Sequence, residues 1–377
     1  AGWLRPAEVP EGPVPREAKL DLIHLAQQRF RERPDPQWLE AFGQFEIDHA
    51  HWLDDYVVFR ALHHKFHRPW WEWPEEMRDR HPPTMAKMRR ELLQRMEQIR
   101  FTQFLFFRQW ADLRAYANSK DIKLFGDMPI FVAHDSAEVW ANRDWFFLDA
   151  EGHPDVVAGV PPDYFSETGQ RWGNPLYRWE VLDQQQYGWW VDRFKTQLEL
   201  FDLMRLDHFR GFEKYWEITA TAETAIDGRW VEGPGGKLFD RLRQVFGDLP
   251  LVAEDLGIIT PEVDALRQAY GFPGMKILQF AFDGGEDNPY LPHNHERLSI
   301  VYTGTHDNDT TLGWFESLDE GSKEHVNHHL ARYQSEMPWS LVEAALDSIA
   351  VLAVFPLQDV LSLGSEGRMN TPGTSEN

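Results

Sequence analysis

The sequence contains no cysteine, so it can form neither a disulfide bond nor a metal site with thiolate ligands. This composition suits a reducing compartment, and we expect a cytoplasmic protein. No uninterrupted apolar stretch reaches the roughly 18 residues that a transmembrane helix needs. The sequence therefore predicts no membrane-spanning segment.

Positive charge is also scarce. The chain of 377 residues has 38 Lys and Arg against 61 Asp and Glu, a formal net charge of −23. Such a protein repels phosphate backbones and anionic lipids, so nucleic acids and membrane surfaces are poor candidate partners. The glycine-rich phosphate-binding patterns G-x-G-x-x-G and G-x-x-x-x-G-K-[ST] are absent as well.

Aromatic residues are abundant, at 14% of the chain with 17 Trp. Many stand beside polar residues, as in "HRPWWEWPEE", "RWGNPLYRW" and "QQYGWWVDRF". Flat rings with a polar rim are suited to binding sugars, whose C–H faces stack on the rings. The alternative is that the Trp side chains only fill the core and the gaps between helices.

Two regions differ in periodicity. Residues 1–119 are predicted to be mostly helical, because apolar residues recur there at helical spacing. In residues 120–377, short apolar runs that end in polar or charged residues alternate with helical stretches. This alternation predicts βαβ units and a parallel sheet. The predicted strands lie within residues 122–132, 201–209, 250–257, 274–283, 298–309 and 349–360.

The charged residues at the ends of these strands favour a (β/α)₈ barrel, an α/β fold whose active site is built from the carboxyl ends of its strands. A doubly wound open sheet is the usual alternative, but it would show a glycine-rich turn after an early strand. Six strands of eight are visible, so we expect the first two strands to lie outside this chain. Residues 134–195, rich in Gly, Pro and aromatics, are predicted to form a long loop insertion.

Several carboxylates would meet at the mouth of such a barrel. They are Asp127, Asp207, Glu254 with Asp255, and Asp307 with Asp309. Metal-assisted hydrolysis and glycosyl transfer both use converging carboxylates. His306, Asp307 and Asp309 could be metal ligands, as could His293, His295 and Glu296. Because neither H-E-x-x-H nor an EF-hand spacing occurs, we expect no metal and no other cofactor.

Glycosyl transfer needs one ionised and one protonated carboxyl group. Asp207 follows Arg205 by two residues, which in a strand places both side chains on one face, and a nearby guanidinium lowers a carboxyl pKa. Asp207 is thus the candidate nucleophile. Glu254 follows "LVA" without an adjacent cation, so desolvation should raise its pKa, as a general acid requires. Asp307 could hold sugar hydroxyls while positive charge develops, or it could cap the helix that follows.

Longer stretches closely resemble the 4-α-glucanotransferase family, also called amylomaltase or disproportionating enzyme. They include "GDMPIFVAHDSAEVWANRDWF", "RLDHFRGFEKYWEI", "AEDLGIITPEV" and "YTGTHDNDTTLGW", and the likeness runs from about Trp38 to the end. The resemblance implies a (β/α)₈ barrel that cuts an α-1,4-glucan donor and joins the piece to a glucose or maltooligosaccharide acceptor, with retention of anomeric configuration.

The resemblance also implies roles for single residues. Asp207 matches the nucleophile, Glu254 the acid/base and Asp307 the stabiliser of the transition state. The positions that match substrate-binding residues are Asp127, Arg205, His306, Tyr164 in the flexible loop Pro161 to Gly169, Trp172 and Phe280. We expect the family's N-terminal strands and its C-terminal continuation to be missing here. A retaining α-glucan hydrolase and a non-catalytic glucan-binding protein remain alternative functions, and the sequence leaves the oligomeric state open.

Overall fold

A computed structural model describes residues 3–4, 8, 12–33, 35–163 and 166–374 of the chain. The fold is of the α/β class and divides into two units. The first unit comprises the residues up to Leu203 together with Lys214–Gly247, and the second comprises Met204–Glu213 and the residues from Asp248 onward. The division that the sequence predicts near residue 119 stays a prediction.

The first unit begins with helices, as the spacing of apolar residues predicts. The entry to the second helix has a proline in its first turn and a capping aspartate, because the Asp35 carboxylate accepts a hydrogen bond from the Gln37 N–H at 2.9 Å. The helices of this unit are α1 (Arg16–Glu32), α2 (Pro36–Asp48), α3 (Ala50–Phe66), α4 (Glu75–Arg78), α5 (Pro82–Glu91), α6 (Leu93–Asn118), α7 (Ala137–Ala141), α8 (Trp179–Gln184), α9 (Gly188–Leu200) and α10 (Gly236–Phe246).

Aromatic rings form much of the core of this unit. Phe101 on α6 stacks on Phe30 of α1 with ring centroids 5.3 Å apart. Trp70, Trp140 and Trp190 are fully buried, and the Trp70 Nε1–H donates to the His134 carbonyl at 2.7 Å. For these three tryptophans the core interpretation is therefore correct, because a buried ring cannot stack on a sugar.

The first unit also contains strands. They are β1 (Phe125–Pro129), β2 (Val156–Val160), β3 (Gln170–Pro175), β5 (Lys214–Thr219) and β6 (Gly228–Glu232). The last four form an antiparallel sheet in the order β3-β2-β5-β6. Gly159 lies where a Cβ would collide with the Gln170 carbonyl, so β2 and β3 can approach closely only with glycine there. Residues 134–195 thus hold helices and two strands of this sheet in addition to loops.

The second unit is built from parallel strands and helices. Its elements are β4 (Leu203–Asp207), β7 (Leu251–Ala253), α11 (Pro261–Ala269), β8 (Gly274–Ile277), β9 (Ser299–Tyr302), α12 (Thr311–Ser317), α13 (Glu320–His329), α14 (Trp339–Leu346), β10 (Leu352–Val354) and α15 (Leu357–Val360). β4 pairs with β7 in parallel, and β8, β9 and β10 pair in parallel. The Ala253 N–H donates to the Pro273 carbonyl at 2.9 Å, which connects β7 to the start of β8.

All six predicted strands are present, as β1, β4, β7, β8, β9 and β10. Every residue of β7 and β9 is buried, which explains why their sequences are continuous apolar runs without alternation. Behind β8 and β9, Leu278 and Val301 pack with Leu341 of α14 in one apolar cluster. β10 is an edge strand, and Leu352 on it is exposed.

None of the described helices combines the length and the apolar character that crossing a membrane requires.

Candidate active site

Two of the predicted carboxylates lie side by side at the ends of paired strands. In the parallel register Leu206 is opposite Ala253, so Asp207 and Glu254 are the next residues on neighbouring strands. The Glu254 N–H donates to the Leu206 carbonyl at 3.1 Å, and the Phe209 N–H donates to the Glu254 carbonyl at 3.1 Å. The strand pairing therefore fixes the backbone of both acids at one edge of the sheet.

Arg205 contacts Asp207 as the two-residue spacing predicts. Its Nη2 donates to Asp207 Oδ1 at 2.8 Å, and the arginine side chain is buried whereas the aspartate side chain is 41% exposed. The exposed carboxylate can be reached by a substrate. The buried guanidinium holds it in place through a charge-assisted hydrogen bond.

Glu254 has a different environment. Burial, with a smaller contribution from the negative charge of Asp207, raises the pKa of Glu254 to about 7. Two backbone groups limit this rise, because the His208 N–H donates to Oε2 at 2.8 Å and the Leu256 N–H donates to Oε1 at 3.0 Å. The rise that the sequence predicts for Glu254 is confirmed. Glu254 is suited to the gain and loss of a proton near neutral pH.

His208 supplies its N–H from an uncommon backbone conformation. Its φ of 55° and ψ of 51° lie in the left-handed region, which non-glycine residues seldom adopt. Burial lowers the pKa of the His208 imidazole to about 3, so the ring is neutral at pH 7. This turn ends β4 and directs the N–H at Glu254.

A buried cation supports the residue next to Glu254. Arg267 on α11 is 2% exposed, and it pairs with Asp255 at 3.3 Å, Asp264 at 2.6 Å and Glu296 at 2.7 Å. Asp255 in turn accepts from the Met275 N–H at 2.6 Å. Together these contacts join the ends of β7 and α11 to β8.

Asp307 lies in the loop between β9 and α12, and it does not cap that helix. The cap is Thr310, whose hydroxyl accepts from the Gly313 N–H at 3.1 Å. The capping alternative for Asp307 is therefore wrong. The Asp307 carboxylate is 54% exposed, and its Oδ2 lies 3.5 Å from Nε2 of His306, which is also exposed.

The residues after β10 hold this loop. The Asn370 Nδ2 donates to Asp307 Oδ1 at 3.0 Å and to the His306 carbonyl at 3.1 Å, and the Arg368 Nη2 donates to the Asp307 carbonyl at 2.8 Å. Asp359, which is fully buried, accepts from the hydroxyls of Thr303 and Thr311 at 2.7 Å each and from the Thr311 N–H at 2.8 Å. Both ends of the loop are thus anchored to one carboxylate.

The other predicted site residues are divided between the units. Phe280 follows β8 in the second unit, and its ring contacts that of Tyr290 with centroids 5.7 Å apart. Asp127 on β1 and Trp172 on β3 belong to the first unit, and both are exposed. Tyr164 lies outside the described residues.

The candidate metal ligands have other contacts. His295 lies 2.7 Å from the Ser348 hydroxyl and 2.9 Å from the Tyr290 carbonyl, so both ring nitrogens are engaged within the protein. Among the residues that the structure describes, no group of three or more His, Asp or Glu side chains is arranged to hold a metal ion.

Sequence reasoning missed Arg267, Asp359 and Asn370. Asp359 ends an apolar run in "VFPLQDV", which is the same signal that marks Asp207 and Glu254, so it could have been found. Asn370 has no comparable signal, because its partners precede it by about 60 residues and no local pattern links them.

Three comparisons place the chain among known proteins. A family model described as 4-alpha-glucanotransferase matches residues 14–377. A 4-alpha-glucanotransferase of Thermus thermophilus is 54% identical over 365 residues, which cover 94% of this chain and 73% of that protein. Another, from Synechocystis, is 47% identical over 95% of this chain and 72% of that protein. The solved structure of an amylomaltase from Streptococcus agalactiae in complex with acarbose has a TM-score of 0.93 and 32% identity, and covers 100% of this chain and 78% of that one.

Proposed function

The chain belongs to the 4-α-glucanotransferase family, and we propose that Asp207, Glu254 and Asp307 carry out the transfer that it catalyses. Its function is 4-α-glucanotransfer, in which a segment of one α-1,4-glucan is moved to another. The observation that carries the assignment of roles is the contrast between two neighbouring acids: Asp207 is partly exposed and paired with Arg205, whereas desolvation raises the pKa of Glu254 to about 7.

The first half-reaction breaks the glycosidic bond. An Asp207 carboxylate oxygen attacks the anomeric carbon while the bond from that carbon to the glycosidic oxygen breaks. Glu254 donates its proton to the departing oxygen, which leaves as a sugar hydroxyl. The product is a glucan ester of Asp207 with inverted configuration, and Glu254 is left ionised.

The second half-reaction restores both acids. Ionised Glu254 takes the proton of the acceptor's hydroxyl, and that oxygen attacks the anomeric carbon as the bond to Asp207 breaks. The second inversion gives overall retention. Retaining glycosidases have the two carboxyl groups about 5–5.5 Å apart, and we expect that separation between Asp207 and Glu254 when substrate is bound.

Asp307 acts on the charge that develops in both steps. A carboxylate that holds sugar hydroxyls beside the anomeric carbon stabilises the partial positive charge of an oxocarbenium-like transition state. We propose that His306 and Arg205 bind the glucose unit at the cleavage point together with Asp127. Trp172, Phe280 and Tyr164 would supply aromatic faces for neighbouring glucose units.

We also propose the finer fold and the compartment. Acidic residues stand at or shortly after the carboxyl ends of most of the six strands, and a (β/α)₈ barrel builds its active site from such strand ends. The likeness to a solved amylomaltase also supports this architecture. The acceptor is a glucose or maltooligosaccharide with a free hydroxyl. A cytoplasmic location stays a prediction that rests on the absence of cysteine.

Incubation of the chain with maltotriose tests this function. Transfer produces glucose together with dextrins longer than maltotriose, whereas a hydrolase produces only shorter sugars. A glucan-binding protein without catalysis leaves maltotriose intact. Chromatography that detects no product longer than maltotriose at any time would reject glucanotransfer for this chain.

A further inference from the structure

A short C-terminal segment makes direct contacts with the loop that carries Asp307. We call it the clasp, and it consists of residues 359–370. Asp359 anchors Thr303 and Thr311, which flank the loop, while the Ser365 hydroxyl donates to Asp309 Oδ2 at 2.6 Å. Arg368 and Asn370 reach the middle of the loop at His306 and Asp307. The loop is therefore held from outside its own stretch of chain.

Asn370 is the member of the clasp that contacts the carboxylate of Asp307. Its Nδ2 contacts the His306 carbonyl and Asp307 Oδ1, and both of these partners can only accept. The two acceptors settle which end of the amide faces the loop, because the amide oxygen in that place would oppose both. The side chain thus donates two hydrogen bonds at once.

The hydrogen bond selects one orientation of the carboxylate. Oδ1 of Asp307 receives the Asn370 N–H, whereas Oδ2 is on the side of His306 at 3.5 Å. The Asp307 N–H donates to the Thr305 hydroxyl at 3.2 Å, so the backbone and one carboxylate oxygen are both fixed. An exposed aspartate without such contacts samples several rotamers, and a transition-state contact needs one of them.

We propose that Asn370 is a positioning residue for Asp307, which it holds in the orientation that stabilises the transition state. The proposal rests on the role of Asp307 given above. Asn370 does not touch the reacting atoms. It acts by donating to a carboxylate, so only a donor at this position can support full activity.

Asn370→Asp tests the need for a donor. At pH 7.5 the new carboxyl is ionised and repels Asp307, and we expect kcat for maltotriose transfer to fall roughly 10-fold or more. A carboxyl beside another carboxylate holds its proton to a higher pH than an isolated Asp, and once protonated it can donate again. The ratio of variant to parent kcat should therefore rise several-fold as pH is lowered from about 7.5 to 5.

Asn370→Ala and Asn294→Asp are the matched variants. Asn370→Ala removes the donor without adding a titrating group, so we expect a similar loss of kcat at pH 7.5 and a ratio that does not change with pH. Asn294 is an exposed asparagine of the same unit that donates to the carbonyls of Glu286 and Asn288 at 2.8 Å, away from the Asp307 loop. Asn294→Asp should leave kcat and its pH profile unchanged.

A second measurement compares two substrates that differ in their leaving group. Asp307 acts on the charge at the anomeric carbon, so Asn370→Ala should lose as much activity on an α-glucosyl fluoride as on maltotriose. The inference is overturned if Asn370→Ala keeps full kcat, or if the ratio for Asn370→Asp is independent of pH while the thermal midpoint is unchanged. Failure of the parent chain to lengthen maltotriose would instead reject the proposed function.

Discussion

At the scale of the residue, Glu254 combines a catalytic advantage with a cost in stability. Its pKa is about 7 in the folded chain and near 4.5 when it is unperturbed. Below pH 4.5 the group is protonated in both the folded and the unfolded state, so it does not change the free energy of unfolding with pH. As pH rises from 4.5 to 7, the unfolded chain releases the proton first, so the free energy of unfolding decreases.

Glu254→Gln should remove this cost, because glutamine resembles the protonated acid and does not titrate. We expect the stability of the variant relative to the parent to rise by roughly 2–3 kcal/mol between pH 4 and pH 8. A loss that does not depend on pH is superimposed, because the glutamine NH₂ cannot accept one of the two backbone N–H groups that Glu254 accepts. Urea unfolding at the two pH values measures the difference. A stability gain of the same size at pH 4 would contradict the titration argument and point to a change in packing.

Variants of Asp207 and Glu254 should differ in activity when the leaving group of the substrate is changed. Asp207→Asn removes the nucleophile, so we expect no covalent intermediate with any substrate. Glu254→Gln lacks only the proton donor, and it should still form the ester from an α-glucosyl fluoride, whose fluoride departs without protonation. Mass spectrometry of the quenched protein detects the ester. Equal loss of ester formation in both variants would exclude the assigned roles.

The pH profile of the parent follows from the direction of the pKa shift. Glu254 must be protonated to act on maltotriose, so the rate of the first step should fall as pH rises above about 7. The first step on the fluoride needs no such proton and should lack this alkaline decline.

At the scale of the element, helix α12 and the clasp approach so closely that only glycine fits between them. A Cβ on Gly313 would collide with the Ser365 hydroxyl and lie 2.8 Å from its backbone nitrogen. Gly313→Ala should therefore displace residues 364–367 and weaken the Ser365 contact with Asp309. We expect kcat to fall severalfold and the stability to fall by roughly 1–3 kcal/mol.

Gly321→Ala is a suitable control, because Gly321 also lies in the first turn of a helix, α13, where a Cβ would come no closer than 3.2 Å to the Asp319 carboxylate. That variant should be as active as the parent. Gly313→Ala with full activity would show that the clasp can move without disturbing the loop.

The elements differ in how far the sequence reveals them. The six predicted strands could be found because strands such as β7 and β9 are buried on both faces, which makes each a short apolar run with polar residues beyond its end. β3 and β6 could not, because most of their residues are exposed and they show no alternation of buried and exposed positions.

The site divides in the same way. Asp207, Glu254 and Asp307 follow strands directly or within a few residues, so a local pattern reveals them. Arg267 and Asn370 act through tertiary contacts that nothing next to them in the sequence specifies. The apolar run before Asp359 marks that residue, but it does not identify its partners Thr303 and Thr311. The role of Tyr164 stays a prediction.

At the scale of the whole molecule, one stretch of the second unit is unusually apolar at its surface. Leu346, Ile349, Val351, Leu357 and Leu361 are each between 59% and 67% exposed. They flank β10 in the sequence, and β10 is an edge strand among the strands that the structure describes. Exposed apolar residues beside an unpaired strand edge favour association between chains.

Replacing Val351, Leu357 and Leu361 with Thr, Gln and Lys should raise the concentration at which the protein aggregates. Because these side chains are already in contact with water, we expect each change to alter stability by no more than about 0.5 kcal/mol. Light scattering and thermal unfolding measure the two effects. Leu341→Ala is the contrasting variant, since Leu341 is fully buried and its truncation should cost about 2–5 kcal/mol. A large drop in the thermal midpoint of the triple variant would refute the assignment of an exposed surface.

The position of the clasp in the chain also sets the order in which the site matures during translation. Asp207 and Glu254 leave the ribosome before Asp307, and Asp359 to Asn370 follow about 50 to 60 residues later, a delay of several seconds at about 5–20 residues per second. While those residues are being made, the stabiliser still lacks the groups that contact it in the folded chain. At that stage all three carboxylates have been synthesised, but the amide that we propose orients Asp307 has not.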